Sequence, residues 1–294
     1  MSEWTAADAA AHVRVPNAAD DKYSRGVLGV LTGSDQYPGA AVLGVEAALR
    51  TGVGMLRYLG PERPTDLVLH RRPEVVTVAG RVQAWLLGSG MDVADGASGS
   101  RDRMRAALES GVPVVLDAGA LELLPLATGP TIITPHAGEL ARLLGVRRDE
   151  VAGDPERWAR EAAASLGTTV LLKGHTTRVV APSVRANQRL APDLSATSRA
   201  QTAGTGQTLY TVTAAPAWLA TAGAGDALGG ILGALVATHA DLIEADDHAL
   251  ARLGATAALI HGLAATRASA GGPFTVLDLA AAIPVIIAEL VAGR

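Results

Sequence analysis

Short apolar runs bounded by glycine or proline recur along this chain, and helical patterns lie between many of them. No other feature constrains the fold as strongly. Strands covered on both faces read as continuous apolar runs, whereas a sheet with one wet face alternates apolar and polar residues. Residues 27–31, 55–59, 75–78, 85–87, 112–116, 131–134 and 169–172 read as such buried strands. Helical patterns occupy 39–50, 101–110 (stopped by Gly111), 138–144 and 155–166. Beyond Asp226 the pattern is helical over 227–238, 246–268 and 276–291. The prediction is an α/β fold with a mostly parallel, doubly wound central sheet and helices on both faces. Residues 183–207 break the rhythm: they carry almost no large apolar side chain and are rich in Ser, Thr, Ala, Gln and Arg. Strand candidates at 177–181 and 208–213 flank them, so a β-hairpin with a long tip is expected. No repeat or linker divides the chain, and residues 1–294 read as a single domain.

Composition removes several function classes. There is no cysteine among the 294 residues, which excludes disulfides, thiolate nucleophiles and cysteine-held metals and fits a reducing cytoplasm. The net charge is −4, with 25 Lys and Arg against 29 Asp and Glu, so no basic stripe can displace counterions from a nucleic acid. One Phe, four Tyr and four Trp leave few platforms for base stacking. Nucleic acid is not an expected partner. Arg71-Arg72 and Arg147-Arg148 read as solvated pairs. Residues 1–11 carry acids and no positive stretch ahead of an apolar run, so no signal peptide is expected. The most apolar stretches, 231–237 and 283–291, are too short to span a bilayer, and no membrane partner is expected.

Four segments carry residues suited to chemistry. Thr221-Ala222-Gly223-Ala224-Gly225-Asp226 precedes an apolar helix. Glycines there turn the backbone so that N–H groups at a helix start face a phosphate or a developing oxyanion. A carboxylate repels phosphate, so Asp226 suits a base that takes a proton from an attacking hydroxyl. The alternative is a plain N-cap. The spacing is neither the dinucleotide fingerprint nor a Walker loop. Lys173 ends an apolar strand ahead of Gly174-His175-Thr176-Thr177, where open α/β sheets bind ligands, or else is a surface lysine before a turn. His136 and Glu139, three apart at a helix start, can face one site. Glu139 can equally close a capping box onto His136, or hold Mg²⁺ through water. Small residues at Thr32-Gly33-Ser34, Tyr37-Pro38-Gly39-Ala40-Ala41 and Gly88-Ser89-Gly90 admit either a planar ligand or close helix–sheet packing. No nucleophile elbow surrounds Ser89, which removes a serine hydrolase.

The order of these segments is more specific than any one of them. Lys22 to Gly26, Gly33-Ser34, Pro38-Gly39-Ala40-Ala41, Gly52-Val53-Gly54 and Gly88-Ser89-Gly90 come first. Asp117-Ala118-Gly119-Ala120-Leu121, Thr134-Pro135-His136-Ala137-Gly138-Glu139, Leu172-Lys173-Gly174 and Gly223-Ala224-Gly225-Asp226 follow. From about Asp20 to its end the chain resembles the ADP-dependent NAD(P)H-hydrate dehydratases, a branch of the ribokinase-like superfamily. The resemblance implies a three-layer ribokinase-like fold and a repair reaction. The S-epimer of NADHX or NADPHX, hydrated at C6 of the nicotinamide ring, would be dehydrated to NADH or NADPH at the expense of ADP, giving AMP and phosphate. It places the hydrated cofactor near Ala40, a glycine of the Gly88 to Gly90 turn, His136 and Asp226. The nucleotide would lie against Lys173, Gly174, His175, Thr176, Thr177, Gly223 and Gly225, with Mg²⁺ accompanying it and Asp226 as the base. It further implies a homo-oligomer, a tetramer in the family, and a separate NAD(P)HX epimerase, because 1–20 is too short for the epimerase domain that many relatives carry in front.

Three positions depart from the family pattern. Asp21 stands where a histidine is usual, Ala137 replaces the proline of T-P-H-P-G-E, and T-G-G-T-G-D reads Thr221-Ala222-Gly223-Ala224-Gly225-Asp226. Ala222 loses easy access to positive φ, and Ala224 loses a hydroxyl. Two other readings compete: a ribokinase-like kinase of a small alcohol, against which His136 stands in place of the usual Asn, and a nucleotide-binding protein without catalysis.

Overall fold

A computed structural model describes residues 2–91, 99–183 and 207–294. Among the described residues, nine strands form one sheet in the order β1-β9-β8-β7-β6-β5-β4-β2-β3. They are β1 (Ser2–Glu3), β2 (Val27–Leu31), β3 (Met55–Tyr58), β4 (Ala84–Leu87), β5 (Val114–Leu116), β6 (Thr131–Ile133), β7 (Thr169–Leu172), β8 (Thr177–Val180) and β9 (Leu209–Val212). Every neighbouring pair is parallel except β7–β8 and β8–β9. The expected hairpin flanks are therefore present as β8 and β9, with Thr177 opposite Val212. Of its expected tip, 183–207, residues 184–206 lie outside the described residues.

The continuous apolar runs divide between two faces, as strand pleating requires. Leu28, Val30, Leu86, Val115, Ile132, Leu171 and Val179 point into one core, shared with α1 (Ala6–Ala11), α2 (Pro38–Thr51), α8 (Ala224–Thr238), α10 (Ala249–Ser269) and α11 (Val276–Ala292). Leu31, Leu87, Leu116, Ile133 and Leu172 point into the other, shared with α4 (Ser100–Leu108), α5 (Ala137–Leu144) and α7 (Pro155–Leu166). This is the three-layer α/β arrangement expected from the sequence. α10 is long and apolar enough to cross a membrane by composition, but most of it is buried within the first core.

Some elements differ from expectation. Residues 75–78 form no strand: only Val76 bridges the edge strand at Arg57, and Val78 is exposed. With one inward residue the run offers a single rung to β3. The helix expected at 246–268 begins at Ala249, after the shorter α9 (Ala240–Ala245). Helices α3 (Glu62–Arg71) and α6 (Arg148–Gly153) were not anticipated, and neither was the 3₁₀ helix Ala118–Leu126. Arg71 and Arg72 are not a free solvated pair. They close on the fully buried carboxylate of Glu46 together with Arg50.

The sheet order positions the ligand site. From β2 the chain moves outward to β3, then returns to place β4 on the other side of β2, so the strand order reverses between β2 and β4. Open α/β sheets bind ligands beyond the carboxyl ends of the strands at such a switch point. Thr32-Gly33 leaves β2 there, and Gly88-Ser89-Gly90 leaves β4.

Candidate active site

The residues that follow β4, β5, β6 and β7 meet at one edge of the sheet because the parallel ladder continues one rung past the strands. Asp117 N–H donates to the Leu87 carbonyl, Thr134 N–H to Leu116 and Lys173 N–H to Pro135, at 3.0, 3.0 and 2.8 Å. Asp117 is the centre of the cluster and is buried. Its Oδ1 accepts from Lys173 Nζ at 2.8 Å and from the Thr134 hydroxyl at 2.8 Å, and its Oδ2 accepts from the Ser89 hydroxyl at 2.9 Å. Lys173 Nζ also lies 3.7 Å from Glu139 Oε2. Burial pulls the Lys173 ammonium toward its neutral form, but Asp117, Glu139 and Asp226 outweigh it, and its pKa is raised. Lys173 is thus a fixed cation with 20% of its side chain exposed, not a mobile surface lysine.

Asp226 is the third residue of α8, whose N-cap is Gly223 with φ +89°, a left-handed conformation that favours glycine. The helix begins at Ala224, three residues before the expected start, and Asp226 is not its N-cap. A Cβ on Gly225 would stand 3.7 Å from Lys173 Nζ, so the first turn of α8 packs beside the ammonium. Burial raises the Asp226 pKa to about 6, the charge of Asp117 adds to this, and Lys173 and a contact with Ser89 oppose it. Ser89 has one hydroxyl proton and touches both acids. In the present geometry it serves Asp117.

His136 is the N-cap of α5 and is 58% exposed in its side chain. Its Nδ1 accepts from the Gly138 and Glu139 N–H groups at 3.0 and 3.2 Å, and Glu139 Oε2 accepts from the His136 N–H at 2.8 Å. The capping box is therefore formed, and it assigns the proton of the neutral ring to Nε2. The same carboxylate holds Lys173, and its Oε1 lies 3.5 Å from His136 Nε2. Glu139 keeps only Oε1 lightly engaged, which suits a water-mediated contact to a cation better than direct ligation.

Two cavities flank this cluster. The first, of about 510 Å³, is lined by Lys173, Gly174, His175, Thr177 and Gly225 together with His261 and apolar residues. Thr176 lies beside it, its Oγ1 accepting from Thr213 at 3.2 Å. The second, of about 440 Å³, is lined by Tyr37, Gly90, Ala118, Gly119, Glu139 and Arg142. Gly90 has no room for a side chain, since a Cβ would come 2.4 Å from that of Ala40; one on Gly88 would meet the Asp117 carbonyl at 2.2 Å. Asp226, His136, Gly88 and Ala40 line neither cavity. Sequence reasoning singled out neither Asp117 nor Ser89 as a site residue. The available signal was an acid ending a β-branched strand, which is ambiguous until the neighbouring strand ends are known.

The family profile described as NAD(P)H-hydrate dehydratase matches residues 28–215. A bifunctional NAD(P)H-hydrate repair enzyme from Mycobacterium leprae is 40% identical over 253 residues, covering 82% of this chain and 47% of that protein. The chain spans about half the length of the bifunctional relatives it matches. An ADP-dependent (S)-NAD(P)H-hydrate dehydratase from Neisseria meningitidis is 33% identical over 273 residues, covering 86% of this chain and 81% of that protein. Among solved structures, an ADP/ATP-dependent NAD(P)H-hydrate dehydratase from Bacillus subtilis, co-crystallised with ATP and Mg²⁺, superposes with a TM-score of 0.78 at 25% identity over 98% of both chains. A ribokinase-like superfamily protein from Enterococcus faecalis shares the fold, with a TM-score of 0.74 at 18% identity over 99% of this chain and 96% of its own. On a ribokinase-like three-layer fold, this chain belongs to the NAD(P)H-hydrate dehydratase family.

Proposed function

We propose that the protein dehydrates the S-epimer of NADHX and NADPHX to NADH and NADPH, converting ADP to AMP and phosphate. One observation carries the assignment of the chemistry. A carboxyl group with a pKa raised to about 6, Asp226, stands in the first turn of a glycine-capped helix beside a lysine that lines the larger cavity. Near neutral pH such a group is mostly ionised yet still accepts a proton readily, which is the property of an efficient general base.

In this reading ADP occupies the cavity of Lys173 and Gly225, and the hydrated nicotinamide lies toward Gly90 and Ala40. Asp226 takes the proton of the C6 hydroxyl as its oxygen attacks the β-phosphorus of ADP. The phosphorus–oxygen bond to AMP breaks, and the α8 N-terminal amides and Lys173 stabilise the charge on the transferring group. The ring-nitrogen lone pair then expels phosphate from C6, and loss of a C5 proton restores the ring double bond. Glu139 would hold Mg²⁺ through water, and that ion would share the charge of the ADP phosphates. His136, fixed as the α5 cap, keeps its Nε2 3.5 Å from Glu139 Oε1.

The test is to incubate the protein with ADP, Mg²⁺ and (S)-NADHX and follow the reduced-nicotinamide absorbance. Recovery of absorbance with stoichiometric AMP is expected. No recovery with either ADP or ATP sinks the assignment, and accumulation of a phosphorylated small alcohol in its place supports a kinase.

A further inference from the structure

Of the buried titratable groups among the described residues that the mechanism leaves unused, one lines a cavity of the site. His261 lies on α10 and is 7% exposed, and it lines the larger cavity. Five buried side-chain polar atoms lack a hydrogen-bond partner among the described residues: Arg25 Nε, Thr32 Oγ1, Arg178 Nε, His248 Nδ1 and His261 Nε2. Only His261 belongs to a residue lining either cavity of the site. A buried polar atom without a partner is unfavourable, and native proteins retain one chiefly where a ligand or water completes it.

The surroundings specify the ligand. Val212, Pro216, Leu219, Leu228 and Ala258 make the cavity wall apolar, while Lys173 and Gly225 supply charge and amide donors at one side. An apolar slot with a cation at one side and a buried imidazole, His261, beside its apolar walls suits a flat heteroaromatic base attached to phosphates. The wall is held firmly. Gly262 leaves no space between α10 and Ala214, and Thr266 Oγ1 donates to the Ala214 carbonyl at 3.1 Å. Burial lowers the His261 pKa to about 4, against a smaller upward pull from the Ala224 backbone, whose contact falls short of a hydrogen bond. The ring is therefore neutral under working conditions and offers one donor and one acceptor, as a purine edge requires.

We propose that His261 reads the base: its unpartnered Nε2 hydrogen-bonds the purine of a nucleoside diphosphate whose phosphates lie at Lys173 and Gly225. This rests on the nucleotide placement above, and it adds the residue that distinguishes adenine from other bases. His261 is a binding residue, and its removal acts on nucleotide affinity and base preference rather than on the chemical step.

Calorimetric titration of the wild-type protein with ADP, IDP and UDP, and of His261→Ala and His261→Gln with the same three, tests it. The wild type is expected to prefer ADP. His261→Ala should bind ADP about tenfold more weakly and lose most of the ADP-over-IDP preference, and His261→Gln should recover part of both. Lys173→Ala should weaken all three nucleotides alike and keep the preference. Equal affinity of the wild type for ADP, IDP and UDP overturns the proposal without any variant, as does an unchanged preference in a folded His261→Ala protein. Wild-type protein that prefers ADP but leaves (S)-NADHX unconverted refutes the proposed reaction and leaves base reading intact.

Discussion

At the residue scale the decisive group is Asp226, because one environment sets both its chemistry and its cost. Burial and the Asp117 charge raise its pKa from 3.8 to about 6. A raised carboxyl pKa means that folding favours the protonated form. The associated stability is fully present below about pH 4 and is lost as pH rises through about 6, so the ionised base is a liability at neutral pH. Asp226→Asn keeps the shape and removes the charge. It should lower kcat by about 10²–10⁴-fold while stabilising the protein by about 1–3 kcal/mol at pH 8, with the stabilisation vanishing below about pH 4. Denaturant unfolding at the two pH values measures this, and a variant less stable than its parent at pH 8 contradicts the assigned burden. For the wild type, kcat/KM should fall as pH drops below about 6, the pKa of the base in the free enzyme.

At the scale of elements, α2 and α8 both begin at the site and pack closely through glycines. A Cβ on Gly230 would stand 2.2 Å from the Gly44 carbonyl oxygen, a backbone atom that cannot swing away. Gly230→Ala must separate the helices, and it should cost about 2 kcal/mol or more. Because α8 carries Gly225 and Asp226 in its first turn, the same change should raise the KM for ADP. Thermal unfolding and steady-state kinetics check the two effects together. Helix existence was legible where apolar spacing is regular, as in α7, whose bounds match the expected 155–166. It was not legible in α3, where Pro64 reads as a breaker although it sits in the first turn, where proline is tolerated. The start of α8 was misplaced because Gly-Ala-Gly reads as turn. In the structure Gly223 alone takes the left-handed turn, and its successors are helical.

For the molecule as a whole, acid stability has an identifiable source remote from the site. Glu46 on α2 is inaccessible to solvent. It accepts hydrogen bonds from Arg50 on its own helix, Arg71 at the end of α3 and Arg72 just beyond it. Burial alone would raise its pKa, but the guanidiniums of Arg72, Arg50 and Arg71 overcome this and hold it at about 2. A depressed carboxylate pKa stabilises the fold above the unfolded value and loses that stability as pH falls from about 4.5 to about 2. Glu46→Gln leaves three arginines around a neutral amide. It should cost about 3 kcal/mol at pH 7, and the remaining protein should lose less stability between pH 5 and pH 2. Urea midpoints across that range are the measurement, and an unchanged acid slope contradicts the role.

The sequence by itself determined most of the segments that become strands (75–78, also expected, does not), that the sheet is mostly parallel, and that glycine turns, Lys173 and the His136–Glu139 pair follow strand ends. These properties are local: apolar periodicity, turn residues and caps act over a few residues. Only the tertiary structure decided the strand order, and with it the meeting of Ser89, Asp117 and Lys173, separated by 28 and 56 residues in the chain. It also decided that Arg71 and Arg72 close on Glu46 instead of facing water, that Glu139 joins a cap to an ion pair, and that Asp226 holds its proton to about pH 6. The physical reason is the same for each. Burial and the field of neighbouring charges belong to the packed assembly of strand ends, and short-range spacing carries no information about which ends become neighbours.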